Sequence, residues 1–193
     1  MKRLELLSLL ALTLAVMGCN NQKNEPAKYP AGIPEEYYAE LDVAMEATTR
    51  PEALTELLKA TPEASRRDMA YLIINMPSAD RDTMDLTLLS ENVTMAATAL
   101  EKYAWTRELP EEVYLRDVLP YHVMDEVRDS WRTELHELFA PAVDTCKTME
   151  SAICAVNANI PRITGVDYNT LREKTNQSPR ESMRQGMASC TGL

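Results

Sequence analysis

The hydrophobic positions of this chain recur mainly at intervals of three and four residues, which is the spacing of one face of an α-helix. Between residues 34 and 160 these amphipathic segments are short, and prolines separate them. Stretches that alternate polar and apolar residues are few, and the whole chain contains only five glycines. The pattern therefore predicts a mainly α fold without an extensive sheet.

Start and stop signals bound the predicted helices. Thr61-Pro62-Glu63 combines a hydroxyl cap with proline at the first helical position. Pro77 and Pro141 are expected to end the helices that precede them, because proline cannot continue the hydrogen-bond ladder. We predict helices that begin at Pro34, that cover 49–60, 61–76, 90–105 and 128–139, and that run from 143 to about 160, with a helical turn between Pro110 and Pro120.

The first residues have the layout of a bacterial signal peptide. Two basic residues precede an apolar run over 6–17, which is shorter than the roughly 20 residues of a membrane-spanning helix. The run ends at Val16-Met17-Gly18-Cys19, which resembles a lipobox: the small Gly18 precedes the cleaved bond, and the Cys19 thiol accepts a diacylglycerol. We therefore expect removal of residues 1–18 and lipidation of Cys19; the alternative is a secretory signal followed by a chance cysteine.

Charge indicates how the mature chain is held at the cell envelope. Removal of the signal peptide changes the net charge from −10 to −11, and residues 19–33 form a polar tether. Nucleic acid and anionic headgroups both repel such a chain, so we expect no nucleic-acid partner and attachment to the membrane through lipid on Cys19. Asn20 rather than aspartate follows the lipidated residue, which favours the outer membrane by the retention rule that accompanies the lipobox resemblance. The direction in which the protein faces stays open.

Three further cysteines are an odd number for an oxidising compartment, so at least one is unpaired within the chain. Cys146 and Cys154 fall in one predicted helix, where eight residues rise about 12 Å, too far for a disulfide. We expect both to be small buried side chains. His122 and His136 are the two histidines of the chain, and there is no C-x-x-C motif, so we expect neither a metal site nor a cofactor.

Residues 186–192, Gly-Met-Ala-Ser-Cys-Thr-Gly, surround Cys190 with small side chains. Such surroundings suit a nucleophilic cysteine. The backbone can turn tightly at Gly186, and the small Ala188 and Ser189 leave room for a substrate carbonyl to approach the sulfur. If a helix begins at Cys190, its free amide groups favour the thiolate and could stabilise an oxyanion. An inert thiol among small residues is the alternative.

These residues resemble the nucleophile motif of the transglutaminase-like superfamily, the papain-like cysteine enzymes that include many secreted bacterial lipoproteins. The resemblance covers about residues 110–193. The residue pattern assigns a helical region to 34–140, and the resemblance implies that 141–193 form the opening helices of an incomplete α+β transglutaminase-like domain. The resemblance assigns Cys190 as the nucleophile of a peptidase or amidase. Weaker similarities upstream lie at 118–121, 125–126, 131–132, Asn157, 168–169 and 178–179.

The chain departs from the family pattern after the nucleophile. The family places its catalytic histidine and aspartate on strands farther along, and neither residue type follows Cys190 in this sequence. We therefore expect the 193-residue chain to be inactive by itself, and surface or packing roles for His122 and His136 are favoured over a role as substitute base. Two alternatives stay open: a non-catalytic helical lipoprotein whose region 34–140 binds a peptide or glycan, and the remnant of an interrupted gene.

Overall fold

The computed structural model describes residues 27–190, and within this range the chain is mainly α-helical. Short 3₁₀ turns lead into several helices, and one π-helical turn covers Tyr114–Val118. A single pair of two-residue strands completes the secondary structure of the described range. The elements in chain order are α1 (Tyr38–Glu46), α2 (Pro51–Ala60), α3 (Arg66–Asn75), α4 (Ser78–Thr83), α5 (Leu86–Lys102), α6 (Glu111–Val113), α7 (Trp131–Val143), α8 (Met149–Thr164), β1 (Asp167–Tyr168), α9 (Pro179–Gln185) and β2 (Met187–Ala188).

Helices α1, α2, α3 and α5 contribute apolar side chains at intervals of three or four residues to the main hydrophobic core, and Tyr114, Leu119 and Tyr121 add to it after α6. Burial of each large aliphatic side chain contributes about 1.5–3 kcal/mol. Tyr29 and Ile33, which the sequence analysis placed in the tether, are also buried there, so the packed body begins before residue 34. The most deeply buried side chains of this core are Leu41, Leu54, Leu58, Met69, Ile73, Leu89, Val93 and Leu119.

Buried polar contacts join α7 to this body. The Arg132 guanidinium donates to the Asn92 side-chain oxygen at 2.7 Å and to the carbonyls of Val118 and Pro120 at 2.8 Å. Asn92, only 3% exposed, in turn donates to the Leu119 carbonyl at 2.7 Å. These bonds satisfy backbone carbonyls of the turn after α6 and fix the first turn of α7 against α5.

The C-terminal part of the described chain is built on the antiparallel neighbours α7 and α8. Parallel strands β1 and β2 pair Asp167 with Met187 and Tyr168 with Ala188, which brings the segment after α9 back beside the end of α8. This pairing sets the position of residues 186–190, the described part of the motif around Cys190, which we call the cysteine motif. Because only four residues take part, no extensive sheet is present within residues 27–190, as the sequence predicted.

Several predicted boundaries are wrong. Helix α5 begins at Leu86 rather than residue 90, because Asp85 caps it by accepting a hydrogen bond from the Thr87 amide at 2.8 Å. Helix α7 continues through Pro141 to Val143, since a proline in the last turn removes one hydrogen bond without preventing the next. The short helix α4 was not predicted.

Cys146 and Cys154 do not share one helix, contrary to the prediction. Cys146 lies in the turn between α7 and α8, because the Thr148 hydroxyl caps a new helix there. It is half-buried, and its sulfur contacts the Ala142 carbonyl at 3.4 Å. Cys154 is exposed on α8 rather than buried, and both thiols are free.

Among residues 27–190, no helix has the length and apolar character needed to cross a membrane. The predicted signal peptide 1–18, the lipidation site Cys19 and the first part of the tether lie outside the described residues.

Candidate functional site

A cavity of about 520 Å³ lies between α7, α8 and the segment that carries α9 and β2. Its volume falls within the range of small-molecule pockets, and most of its wall is apolar. The apolar residues of the wall include Val123, Met124, Trp131, Leu135, Phe139, Val156, Ile160, Val166, Pro179 and Met183.

Ser189 is part of the cavity wall, and the exposed Cys190 follows it directly. Strand β2 sets this position, since the Asn169 amide donates to the Ala188 carbonyl at 3.0 Å just before the motif. Ser189 is buried, as is Ala188, whose exposure is zero. Ala188 lies in β2 with no exposed surface, which leaves no room for a larger side chain, whereas Ser189 lines the cavity, where the sequence analysis expected room for a substrate.

The tight turn expected at Gly186 is confirmed. Gly186 has φ +66° and ends α9 in the left-handed conformation. Gly165 ends α8 in the same way with φ +70°, and its carbonyl oxygen would lie 3.3 Å from a Cβ at position 186. The two helix ends thus approach each other closely, and this approach aligns β1 with β2.

Helix α9 begins with a buried N-cap, Ser178, which also forms a hydrogen bond with Asp129, just before α7. The Ser178 hydroxyl, fully buried, accepts from the Glu181 amide at 3.1 Å, and the Glu181 carboxylate accepts from the Ser178 amide at 2.9 Å. The same hydroxyl donates to Asp129 Oδ2 at 2.5 Å. Burial raises the pKa of Asp129 above its ordinary value, although the hydrogen bond from Ser178 opposes the shift. The contact ties the cysteine-bearing segment to the residues just before α7.

Two polar atoms on residues that line the cavity lack a hydrogen-bond partner among the described residues. They are Gln177 Oε1 and Ser182 Oγ, and neither atom is accessible to water. Gln177 is 8% exposed and Ser182 is 2% exposed. Leaving a buried polar atom unpaired costs about 1–3 kcal/mol.

Charged groups at the cavity are constrained by the fold. Arg132 lines it, and burial lowers the pKa of this guanidinium to about 10. Burial alone would raise the pKa of Glu126, but hydrogen bonds from backbone amides, including those of Val123 at 2.7 Å and Met124 at 2.8 Å, outweigh burial and lower it. Both groups are therefore charged at neutral pH. Arg132 donates hydrogen bonds to nearby backbone carbonyls, and Glu126 accepts hydrogen bonds from nearby backbone amides.

The two histidines differ in their surroundings. His122 is half-buried, its ring lies 4.7 Å from the Tyr121 ring, and its Nδ1 is 2.9 Å from the Met124 carbonyl oxygen, so it has a packing role. His136 is half-buried on α7 and lines the cavity. Within residues 27–190 neither histidine forms a hydrogen bond with Cys190, and no group of three His, Cys, Asp or Glu residues could hold a metal ion.

Sequence reasoning did not identify Gln177, Ser182 or Asp129 as part of this site. One signal was present: Ser178-Pro179-Arg180-Glu181 has the spacing of a capping box, which marks the start of α9. A helix that begins after the Ser178 cap places Ser182 in its first turn, close to the capping residues. The burial of Gln177 depends on how β2 returns to β1, which the local sequence does not encode.

Comparison with models of known protein families, with curated proteins and with solved structures found no match to this chain. The fold class is mainly α, and the residues of the cavity and of the cysteine motif carry the functional argument.

Proposed function

We propose that this chain belongs to a lipid-anchored envelope protein of the transglutaminase-like type, in which Cys190 is the nucleophile of a thiol hydrolase or acyltransferase that acts on amides. The observation that carries the proposal is the position of Cys190: this residue is exposed, and the preceding residue, Ser189, lines a mainly apolar cavity of about 520 Å³. The proposal also rests on the motif at residues 186–192 and on its resemblance to the family.

The proposed chemistry follows from the thiol. The Cys190 thiolate attacks the amide carbonyl carbon, its proton having passed to a base. The carbon–nitrogen bond then breaks, the departing amine takes up a proton, and an acyl thioester forms on Cys190. Attack by water releases a carboxylic acid, and attack by a second amine gives a new amide; either step regenerates the thiol.

Turnover needs a base within hydrogen-bond reach of the thiol. Neither His122 nor His136 forms such a bond among the described residues. We therefore propose that the 193-residue polypeptide by itself does not turn over amides, and that the reactivity of Cys190 toward electrophiles is the property to test.

The competing function is a helical lipoprotein that binds a peptide or glycan through its region 34–140. An aromatic binding surface in this region has little support, because every tyrosine and tryptophan between residues 34 and 140 is buried or half-buried. Tyr168, which is 55% exposed, lies outside it. The cavity beside Ser189 favours the thiol chemistry instead.

Alkylation tests the enzymatic proposal, and Cys154 is a matched control because it is also an exposed, free thiol. The full chain is treated with limiting iodoacetamide, and the labelled peptides are quantified by mass spectrometry. We expect Cys190 to react at least about ten times faster than Cys154 if the surroundings of the motif at residues 186–192 activate it as a nucleophile. Equal rates at the two positions would refute an activated nucleophile.

The anchor is tested separately. We propose that cleavage before Cys19 and lipidation of that residue hold the protein at the envelope, with the outer membrane favoured. A Cys19→Ala variant should move from the detergent-extracted membrane fraction to the aqueous fraction, while Cys146→Ala should stay with the membrane. Retention of the Cys19→Ala variant in the membrane fraction would contradict lipid attachment at this residue.

A further inference from the structure

Arg132 brings a positive charge to the wall of the cavity between α7, α8 and α9, and no carboxylate among residues 27–190 forms an ion pair with it. Its Nε and Nη2 donate to neutral groups, the Asn92 side chain and two backbone carbonyls. The third nitrogen, Nη1, has no hydrogen-bond partner in the described range. Unlike the sealed Gln177 Oε1 and Ser182 Oγ, it is not buried. A ligand can therefore reach one unpaired donor of this guanidinium.

The negative charge in the same wall already has its partners. The Glu126 carboxylate accepts from the Val123 amide at one oxygen and from the Met124 amide at the other. The positive charge of Arg128 also favours the ionised form of this carboxyl group. Glu126 is only 9% exposed, so little of it faces the cavity. Within the described wall, the charge left for a ligand to balance is positive.

His136 extends this polar face of the cavity. It lies one turn beyond Arg132 on α7 and lines the same cavity, and side chains four residues apart share one face of a helix. A ring nitrogen that carries a proton donates a hydrogen bond, as the guanidinium does. An anionic group is the partner that suits both side chains.

Other polar atoms of the wall are not available to a ligand. The Thr164 hydroxyl donates to the Ile160 carbonyl at 2.7 Å, and the unpaired atoms of Gln177 and Ser182 are sealed from solvent. A second polar group on the ligand would therefore lose its hydration against a mainly apolar surface. The cavity favours a molecule with one anionic group and a hydrocarbon body.

We propose that this cavity binds an aliphatic monocarboxylate of the fatty-acid type, with its carboxylate at Arg132 and its alkyl tail against the apolar side chains of α7 and α8. Arginine suits this role because its N–H groups form strong, charge-assisted hydrogen bonds with a carboxylate. The tail would cover Leu135, Phe139, Val156 and Ile160. This inference goes beyond the proposed function and does not depend on the reactivity of Cys190.

Three small molecules separate the contribution of the carboxylate from that of the tail. Octanoate, acetate and octyltrimethylammonium are titrated into the full-length protein and followed by ligand-observed NMR. We expect acetate to bind at least about a hundred times more weakly than octanoate, because it has no tail to bury. Octyltrimethylammonium should bind at least about ten times more weakly, because its cationic head cannot pair with Arg132. Equal affinities of octanoate and either of the other two would overturn the inference.

The net charge of the protein makes this comparison stringent. At −10, the chain as a whole attracts cations and repels anions, so non-specific association would favour octyltrimethylammonium. N-acetyl-leucine supplies a further control, because it has a carboxylate and an apolar side chain but also a peptide group. We expect it to bind more weakly than octanoate, and tighter binding would overturn the assignment to an aliphatic ligand.

A matched pair of variants locates the tail. Val156→Phe fills the cavity from α8, and Ile153→Phe adds the same ring at a position of that helix that is 53% exposed and outside the cavity. We expect at least about a tenfold loss of octanoate affinity in Val156→Phe and none in Ile153→Phe, with circular dichroism verifying that both variants are folded. Unchanged affinity in a folded Val156→Phe protein would overturn the inference.

The carboxylate is located without a substitution, because Arg132 also holds α7 to the helical body and its removal would disturb the fold. The Nε–H signals of Arg132 and Arg81 are followed in the ¹⁵N-labelled protein during the octanoate titration. Arg81 is the control, since it is 8% exposed, donates to backbone carbonyls and does not line the cavity. We expect only the Arg132 signal to shift. Shifts of both signals, or of neither, at saturating octanoate would overturn the inference.

Discussion

Asp129 shows how one side chain can couple the cysteine-bearing segment to the helical body. Its Oδ2 accepts from Ser178, while its Oδ1 is buried and has no partner among the described residues. Burial raises its pKa, so the charged form is less favourable in the folded protein than in the unfolded chain. The stabilising form is therefore the protonated one, whose contribution is complete below the unfolded value of about 4 and is lost as pH rises through the folded value.

An Asp129→Asn variant tests whether the charged form of Asp129 destabilises the folded protein. Asparagine keeps an oxygen that can accept from Ser178 but carries no charge to desolvate. We expect its free energy of unfolding to exceed that of the unmodified protein at pH 7, and this difference to shrink as pH falls from 7 to 4. Urea denaturation at several pH values measures it.

The control is Asp117→Asn, because Asp117 is exposed and pairs only with the neighbouring Arg116. It should change the free energy of unfolding by less than about 0.5 kcal/mol. A gap between the Asp129→Asn and unmodified proteins that widens toward acidic pH would show that the charged carboxylate is stabilising instead.

At the scale of elements, α8 and α9 each begin with a capping box, but the two capping boxes lie in different environments. Thr148 and Ser151 form a capping box at the exposed start of α8, and Ser178 and Glu181 form one at the start of α9. The two caps differ because the Ser178 hydroxyl is fully buried and also donates to Asp129. Removal of the hydroxyl should therefore have different consequences at the two helices.

Replacing each cap with alanine gives a matched pair. Thr148→Ala should cost about 1 kcal/mol of unfolding free energy, the usual effect of a lost N-cap. Ser178→Ala should cost about 2–4 kcal/mol, because it also leaves the buried Asp129 carboxylate without its partner. Chemical denaturation of the two variants measures both values, and similar losses would mean that the bond from Ser178 to Asp129 contributes little.

Most helices could be predicted from the sequence, because their apolar faces and the prolines at their ends are local features. Sequence patterns failed where tertiary contacts decide: α7 passes through Pro141, and Cys146 is separated from Cys154 by a new helix start. The candidate site was predictable only in part. The turn at Gly186 follows from a glycine among small residues, whereas the unpaired atoms of Gln177 and Ser182 depend on the pairing of β1 with β2.

At the scale of the whole molecule, the structure consists of a helical body whose core is built mainly from α1, α2, α3 and α5, and a C-terminal part that adds the cavity and the cysteine motif. Buried hydrogen bonds through Arg132 and Asn92 hold the two together, so the wall of the cavity formed by α7 has a fixed position on the body. The proposed lipid on Cys19 would tether this assembly to the membrane and leave Cys190, the proposed nucleophile, exposed.

The most direct test of this account is the intact mass of the protein extracted from its native membrane after reaction with the chloromethyl ketone of N-acetyl-leucine. This reagent combines an apolar side chain, an amide and an electrophilic carbon. We predict a chain that starts at Cys19 and carries lipid, with one adduct on Cys190 that is absent in Cys190→Ala and present in Cys154→Ala. A chain that retains residues 1–18, or an adduct distributed equally between Cys190 and Cys154, would contradict the account.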